Sequence, residues 1–456
     1  MAVRLFFGVW SCKLHFMFKK YFIGIDIGGT KIYGGLVSPS GKIARTVKVS
    51  TPSNARAGAI LAALYQVIKD LLKEGNVPLK SIIGLGVAVP GVVDGNGRVV
   101  VTPNISLSGV DLKNILIKRY KTVVAVGNDV NFGLMGERWL GAAHKANNVV
   151  GIFPGTGVGG GVIAGGRMID GAQGAAAELG HMIVDPNGPR CTCGNTGCLE
   201  ALAGRWAIER DIRAAVKKGE KSLIVDIAGK ELRQIKSGAL KRALQAKDPL
   251  VTRVIRKSAE ALGSACVSLN HIFNPEAFIF GGGVVESCGE HILPVIEKVL
   301  KQDPFFARLN SPRVLQAKLG DDAGMLGGVA AVRQECDPKD LKDSSYYPKI
   351  ALTASQKVRV KGKLMPGAFF IRADGKVKEP GDITPSYLTE SDLEVICRKG
   401  PEIFIIACAA GKKTSLAVKA AKFLKKKKII PRALPLGEAV KLYSSSDDRR
   451  AILFNL

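Results

Sequence analysis

Residues 178–200 read E-L-G-H-M-I-V-D-P-N-G-P-R-C-T-C-G-N-T-G-C-L-E. His181, Cys191, Cys193 and Cys198 in this stretch offer one imidazole and three thiols, the ligand set of a closed, tetrahedral structural zinc site. Gly188-Pro189 and Gly194-Asn195 supply the turns that fold so short a segment around one ion. Two acids, Glu178 and Glu200, bracket the cluster. The other cysteines (Cys12, Cys266, Cys288, Cys336, Cys397 and Cys408) are scattered. That usage fits a reducing cytosol with one metal site better than a secreted disulfide framework.

Working outward, 456 residues exceed one ordinary core, so two or three domains are expected. At 46% apolar and 23% charged residues the chain is globular rather than disordered. Its net charge of +27 raises nucleic acid as a partner. The Lys and Arg residues are spread along the chain, however, and no helix-turn-helix, zinc-finger or RNA-binding signature accompanies them. A basic surface also suits anionic small molecules such as nucleotides. No stretch reaches the roughly 18 apolar residues of a membrane span, so no membrane partner is expected. The first residues are apolar and lightly basic but lack a small-residue cleavage site. Met17 opens M-F-K-K-Y-F-I-G-I-D, and residues 1–16 are read as the product of a mis-called start codon.

From Tyr21 the pattern is strand (YFIGIDI), glycine turn, strand (IYGGLVS), strand (IARTVKV). A helix is expected over 55–73, from apolar residues at helical spacing. Next come a strand over 82–89, a hairpin turn at 95–97, a helix over 111–120 and a strand over 122–126. Asn128 and Asp129 follow that strand, at the end where open α/β sheets bind ligands. The second half predicts a strand over 149–153, a helix over 249–272, a strand over 277–280 and a closing helix over 324–333. Residues 335–355 are polar and turn-rich, as a linker would be. In the tail the pattern gives strands over 368–371 and 403–407 and helices over 391–398 and 415–424.

Three glycine-rich turns follow three of these strands. The first holds Asp26, Gly28, Gly29, Thr30 and Lys31, the second Gly155, Thr156, Gly157, Gly159 and Gly160, the third Gly281, Gly282 and Gly283. Glycine lets backbone N–H groups approach phosphate oxygens, Thr30 and Lys31 add donors, and Asp26 can hold Mg²⁺ or its water. Any one turn alone would be a turn without a ligand; three in this arrangement favour a nucleotide. None matches the dinucleotide fingerprint or the Walker loop. Asp129 is the candidate general base for phosphoryl transfer to a sugar hydroxyl, with helix capping as its structural alternative. Each hydroxyl of a sugar both donates and accepts, so sugar recognition needs convergent carboxylates and amides. Asn104, Asn128, Glu178, His181 and Glu200 can supply them, with one His181 nitrogen on zinc and the other on the sugar.

At this point the strings D-I-G-G-T-K, V-P-G-V-V-D, G-N-D-V-N, P-G-T-G-V-G-G-G and E-L-G-H…C-x-C-G-N-x-G-C-L-E are similar to those of the ROK family (repressors, open reading frames and kinases), especially its glucokinase-like sugar kinases. The resemblance covers residues 21 to about 335. It implies a two-lobed, actin-like ATPase (ribonuclease H-like) α/β fold, a homodimer, and zinc on His181, Cys191, Cys193 and Cys198. Carried onto these positions, it makes Asp129 the catalytic base and Asn104, Asn128, Glu178, His181 and Glu200 the sugar ligands. The first two glycine turns become phosphate loops, and residues 281–283 lie near the adenosine of ATP. The expected division is a small lobe over 21–130 and a large lobe over 131–335, with helix 324–334 returning to the small lobe. A linker over 336–356 then leads to a small α/β domain over 357–456. One departure is the sugar loop P-N-I-S-L-S-G, where kinases of this family often carry an aromatic residue. It leaves the hexose open among glucose, N-acetylglucosamine, N-acetylmannosamine and fructose.

The tail strings P-G-D-I-T-P-S-Y, I-F-I-I-A and L-P-L-G-E-A-V-K-L-Y resemble a small β/β/α domain that also occurs in a mitochondrial complex I assembly factor. Residues 411–414 (G-K-K-T) lack the glycine five positions earlier that a phosphate loop needs, where Ile406 stands. Together these readings predict a cytoplasmic ATP-dependent hexose kinase using Mg²⁺ and a structural zinc. A sugar-responsive regulator of the same family is the alternative, and a scaffold whose tail docks a partner is a third.

Overall fold

Alternating apolar strands and glycine turns fold, in this computed structural model, into two five-stranded sheets of the same design. The structure describes residues 20–52, 56–336, 350–353, 357–360, 363–365, 367–373, 376–398, 400–401, 403–445 and 450–456. The start-codon reading for residues 1–16, and most of the linker expected over 336–356, lie outside these residues. Within that linker, residues 350–352 form a strand. By contact density the chain divides into one unit of residues 21–37 and 41–336 and another dominated by the segment after residue 336.

The first sheet is built from β1 (Tyr21–Ile27), β2 (Lys31–Val37) and β3 (Ile43–Ser50), then β4 (Ile82–Val89) after helix α1 (Ala57–Glu74). A small hairpin follows, β5 (Val92–Val93) with β6 (Val99–Val101), and then α2 (Leu112–Tyr120) and β7 (Val123–Asn128). Strand order is β3-β2-β1-β4-β7, antiparallel through the hairpins and parallel from β1 to β4 to β7. Helix α1 places Leu64, Val67, Ile68 and Leu71 on one face, the spacing of a buried stripe, and all four are buried. Each such side chain contributes about 1.5–3 kcal/mol on burial.

The second sheet repeats that plan. After α3 (Asp129–Trp139), strands β8 (Val149–Pro154), β9 (Val158–Ala164) and β10 (Arg167–Met168) form antiparallel hairpins. A mostly helical region follows: α4 (Leu199–Ala203), α5 (Arg205–Lys217), α6 (Ile224–Ala228), α7 (Ser237–Gln245) and α8 (Pro249–Phe273). Strand β11 (Ala277–Phe280), helix α9 (Gly282–Lys301) and strand β12 (Arg313–Gln316) then complete the order β10-β9-β8-β11-β12. Helix α8 starts where the buried Asp248 carboxylate accepts from Val251 N at 2.8 Å with proline next in line, and stops at Asn274, whose φ is 41°.

Helix α10 (Ala323–Gln334) lies against β1 and β4 of the first sheet and against α3. The approach is close enough to require glycine: a Cβ on Gly86 would stand 1.9 Å from the carbonyl oxygen of Gly328. A buried carboxylate fixes the other end of this arrangement. Glu137 of α3 accepts from Lys318 N at 2.8 Å, Leu319 N at 2.7 Å and Ala142 N at 2.7 Å. Residue 130, where the division between lobes is expected, lies in α3, which packs on α10 through Gly136 against Ala323 and Gly327.

The C-terminal unit has strands β13 (Ile350–Leu352), β14 (Val358–Val360), β15 (Lys363–Leu364), β16 (Phe369–Ile371), β17 (Val377–Lys378) and β18 (Tyr387–Leu388). They are followed by α11 (Glu390–Ile396), β19 (Ile403–Cys408), β20 (Ser415–Leu416), α12 (Val418–Lys426), β21 (Ile430–Pro435), α13 (Leu436–Ser445) and β22 (Arg450–Asn455). Its main sheet runs β17-β16-β22-β19-β21, with β19 parallel to both neighbours. Alternation puts Phe404 and Ile406 against α11 and α12, and Ile405 and Ala407 against α13. The helix expected over 415–424 starts only at Val418, because Ser415 and Leu416 pair with Tyr387 and Leu388.

Candidate functional site

Strands β1, β4 and β7 run parallel, with Asp26 opposite Ala88 and Val89 opposite Asn128, so their carboxyl ends share one edge. Asp26 sits there, just before the β1–β2 turn of Gly28, Gly29 and Thr30, which Gly28 N closes by donating to Lys31 O at 2.8 Å. Lys31 donates to Asp321 Oδ2 at 2.5 Å, and Tyr33 donates to Asp322 Oδ1 at 2.7 Å. Gly324 at the start of α10 lies against the Asp26 carboxyl, where a Cβ would be 3.0 Å away. Asn104 is exposed and stands beside Gly29.

Asn128 ends β7 and caps α3: its Oδ1 accepts from Val130 N at 2.8 Å and Asn131 N at 3.0 Å. Its Nδ2 donates to Gly91 O at 2.9 Å. The cap is thus Asn128 rather than Asp129, and α3 starts at Asp129. Asp129 Oδ1 accepts from Val130 N at 2.9 Å, and the Asn128 side chain and the Asp129 N–H also donate to this carboxyl. Burial pushes the Asp129 carboxyl up to about 6, against the pull of the Val130 N–H, with the charge of Glu178 adding to the rise. Asp26 rises to about 7, again chiefly by burial and next by the charge of Asp129. Asp129 is therefore within electrostatic reach of both Asp26 and Glu178.

The β8–β9 turn occupies in the second lobe the place of the β1–β2 turn in the first. Gly155 N donates to Gly157 O at 2.9 Å, and Gly159 rests on Val130 next to Asp129. Glu200 lies under this turn: its Oε2 accepts from Val158 N at 3.0 Å. Its Oε1 takes the Thr192 hydroxyl at 3.3 Å and the Trp206 indole N–H at 3.4 Å. A Cβ at position 157 would stand 2.1 Å from Glu200 Oε2, so only glycine fits there. Gly160 packs on Leu179, one residue from Glu178. Gly281 and Gly282 follow the carboxyl end of β11 and lie against Phe153 and Pro154, so α9 opens beside the same turn, while Gly283 lies beside Ser237.

His181 ends a single 3₁₀ turn (Leu179–His181), and the loop after it is pinned by Leu199 N donating to Met182 O and Cys191 N donating to Asn195 O. One ligand atom from each of His181, Cys191, Cys193 and Cys198 lies within 4.8 Å of the rest. Cys193 Sγ and Cys198 Sγ are 3.7 Å apart, and Cys191 Sγ is 3.8 Å from His181 Nδ1. Two sulfurs at tetrahedral angles on an ion with bonds of about 2.3 Å stand about 3.8 Å apart, so the quartet fits a four-coordinate zinc. The N–H of Asn195 pulls the Cys193 thiol down and burial pushes Cys198 up to about 12. A cation held by all four groups would erase that asymmetry.

Three contributors escaped the reading of the sequence. Arg205 Nη2 donates to Thr156 Oγ1 at 3.1 Å, placing a guanidinium on the second glycine turn. Asp321 holds Lys31, and Glu137 ties α3 to the approach of α10. Only the acidic pair Asp321-Asp322 before a glycine-rich helix gave a local signal.

Over residues 22–335 the chain matches the model of the ROK family. It is 35% identical over 320 residues to a glucokinase of Thermotoga maritima, covering 69% of this chain and 98% of that protein. A putative xylose repressor of Caldicellulosiruptor is 30% identical over 311 residues, covering 68% of this chain and 77% of the repressor. The ROK glucokinase of Streptomyces griseus, solved with glucose and AMPPNP, superposes with a TM-score of 0.56 at 32% identity, over 69% of this chain and 99% of that one. The two lobes have the actin-like ATPase fold, with the C-terminal α/β unit added to it. The chain belongs to the ROK family.

Proposed function

We propose that this chain is an ATP-dependent hexose kinase of glucokinase type. The observation that carries the reading is Asp129: a largely buried carboxyl raised to about 6, within electrostatic reach of Asp26 and Glu178 and beside Val130, on which Gly159 of the second glycine turn rests. A base of that acidity is ionised at neutral pH yet accepts a hydroxyl proton readily. The similarity to glucokinases over nearly their whole length supports the same reading.

Glu178, His181 and Asn104 face the hexose hydroxyls. Asn128 and Glu200 act from behind, because their polar atoms already hold the α3 start and the β8–β9 turn. His181 gives Nδ1 to the zinc quartet, which leaves Nε2 for a hydroxyl. Gly28, Gly29, Thr30 and Lys31 on one side, and Gly155, Thr156, Gly157, Gly159 and Gly160 on the other, close on the phosphates. Gly281, Gly282 and Gly283 border the adenosine. Asp26 positions Mg²⁺ or its water, which neutralises charge on the transferred phosphoryl group. Zinc supplies rigidity, holding the loop that aims Glu178 and His181. The family resemblance carries a homodimer and a cytoplasmic setting with it, and no described helix is long and apolar enough to cross a membrane.

A purified-protein assay with glucose, N-acetylglucosamine, N-acetylmannosamine and fructose, coupled to ADP release, tests the proposal. Turnover with at least one hexose, abolished in Asp129→Ala, is expected. No turnover with any of the four removes the kinase reading. A sugar-responsive regulator is the second reading, favoured by the 30% identity to a xylose repressor; sequence-specific retention on promoter DNA by the same preparation would support it.

A further inference from the structure

The C-terminal unit ends two parallel strands, β19 and β21, side by side, with Cys408 opposite Pro435 at their carboxyl ends. Crevices outside the carboxyl ends of parallel strands are where open α/β sheets take ligands. Here that position holds a cavity of about 970 Å³, within the range of small-molecule sites. Ala410, Leu434 and Leu436 give it apolar walls, while Lys412 and Lys413 face a single acid, Glu438. Lys412 is engaged with the Leu456 carbonyl oxygen at 2.5 Å. No ion pair holds Lys413 among the described residues.

A polar network keeps the loop over 409–414 from collapsing into this space. Asn455 is buried and its Nδ2 donates to Lys413 O at 3.2 Å and to Thr414 Oγ1 at 3.1 Å. The Thr414 hydroxyl in turn donates to Pro385 O at 2.8 Å, and the Cys408 thiol lies 3.7 Å from it on the cavity wall. The loop is not a phosphate-binding P-loop. Gly411 to Thr414 leads into strand β20 rather than a helix, so its N–H groups are not gathered at a helix start.

We infer that this crevice binds an amphipathic anion, a carboxylate or phosphate joined to an apolar body, with the body on Ala410, Leu434 and Leu436 and the charge at Lys413. Apolar walls with a basic rim match that chemistry and no simpler ion. The inference stands apart from the kinase reading, since every residue it uses belongs to the C-terminal unit.

Cys408 reports occupancy. Full-length protein is alkylated with N-ethylmaleimide, and the peptide carrying Cys408 is quantified by mass spectrometry with decanoate, decyl phosphate or decanol present. Decanoate or decyl phosphate is expected to slow alkylation of Cys408 about tenfold and saturably, and comparison of the two identifies the headgroup. Decanol should change the rate less than twofold. Lys413→Glu should raise the protecting concentration about tenfold, and Ala410→Trp, which fills the crevice, should abolish protection while the unprotected rate in Lys413→Glu stays as in wild type. Absence of protection by both anions, equal protection by decanol, or full protection in either variant overturns the inference.

Discussion

Asp129 is the first residue of α3, and its acidity follows from that position. Asn128 takes the cap, the Asp129 carboxyl lies within electrostatic reach of Glu178 and Asp26, and burial raises it to about 6. Between about pH 4 and pH 6 the folded protein keeps a proton that the unfolded chain has lost, so this carboxyl lowers stability as pH rises through that window. Asp129→Asn should therefore raise the melting temperature of the substrate-free protein near pH 8 and leave it unchanged near pH 4. Turnover should fall about 100- to 10,000-fold in the same variant. A variant that melts lower than wild type near pH 8 would show that burial is not what raises this group. In wild type, kcat/KM should decline as pH drops below about 6, where the base takes up its proton. Asn128 and Asp129 were legible in the sequence because a polar pair after an apolar strand is a local signal. Which of the two caps the helix was not, since that depends on Gly91 accepting from Asn128 across the sheet. Arg205 on Thr156 was invisible for the same reason: the two are 49 positions apart.

At the scale of elements, the loop over 178–200 and the β8–β9 turn act as one piece, joined by Glu200. Its four candidate metal ligands were readable at once because they lie in contiguous sequence, with turn residues between them. The joint was not, because Glu200 reads in the sequence as a sugar ligand, and only the fold brings Val158 and Trp206 to it. Removal of the metal with a strong chelator should release about one zinc per chain and lower both melting temperature and turnover, restored together by Zn²⁺. A chelated protein with unchanged melting and turnover would remove the metal from the account. Gly157→Ala drives a methyl into the Glu200 carboxylate and should cut turnover at least tenfold, read in the ADP-release assay, without loss of bound zinc. Glu137 links α3 to the segment before α10 over 181 positions of sequence, so no local pattern announces it. Glu137→Ala strands three N–H groups and should cost roughly 3 kcal/mol in denaturant unfolding, with Glu137→Gln costing less.

For the whole molecule, the same strand plan appears twice, each time with a glycine turn after the first strand, and the cleft lies where the two copies face one another. The glycine turns were legible, and the resemblance they carried pointed to two lobes. The equivalence of the sheets was not legible, because strands β4, β7, β11 and β12 join their sheets by long crossovers that leave no periodic trace. In the C-terminal unit the apolar run Ile403 to Ala407 marked a strand, yet its burial on both faces and its place between β22 and β21 depend on pairings far along the chain. Each unit has its own apolar core, so a chain ending at residue 336 should phosphorylate its hexose with kcat within about twofold of the full protein. The central claim is that Asp129 drives phosphoryl transfer from ATP to a hexose in this cleft. Transfer of label from γ-³²P-ATP to hexose by wild type and Asp129→Asn, with nucleotide binding measured in parallel, tests it most directly. Labelled sugar phosphate from wild type, loss of label in the variant and unchanged nucleotide affinity are predicted; equal labelling by the two proteins would contradict the account.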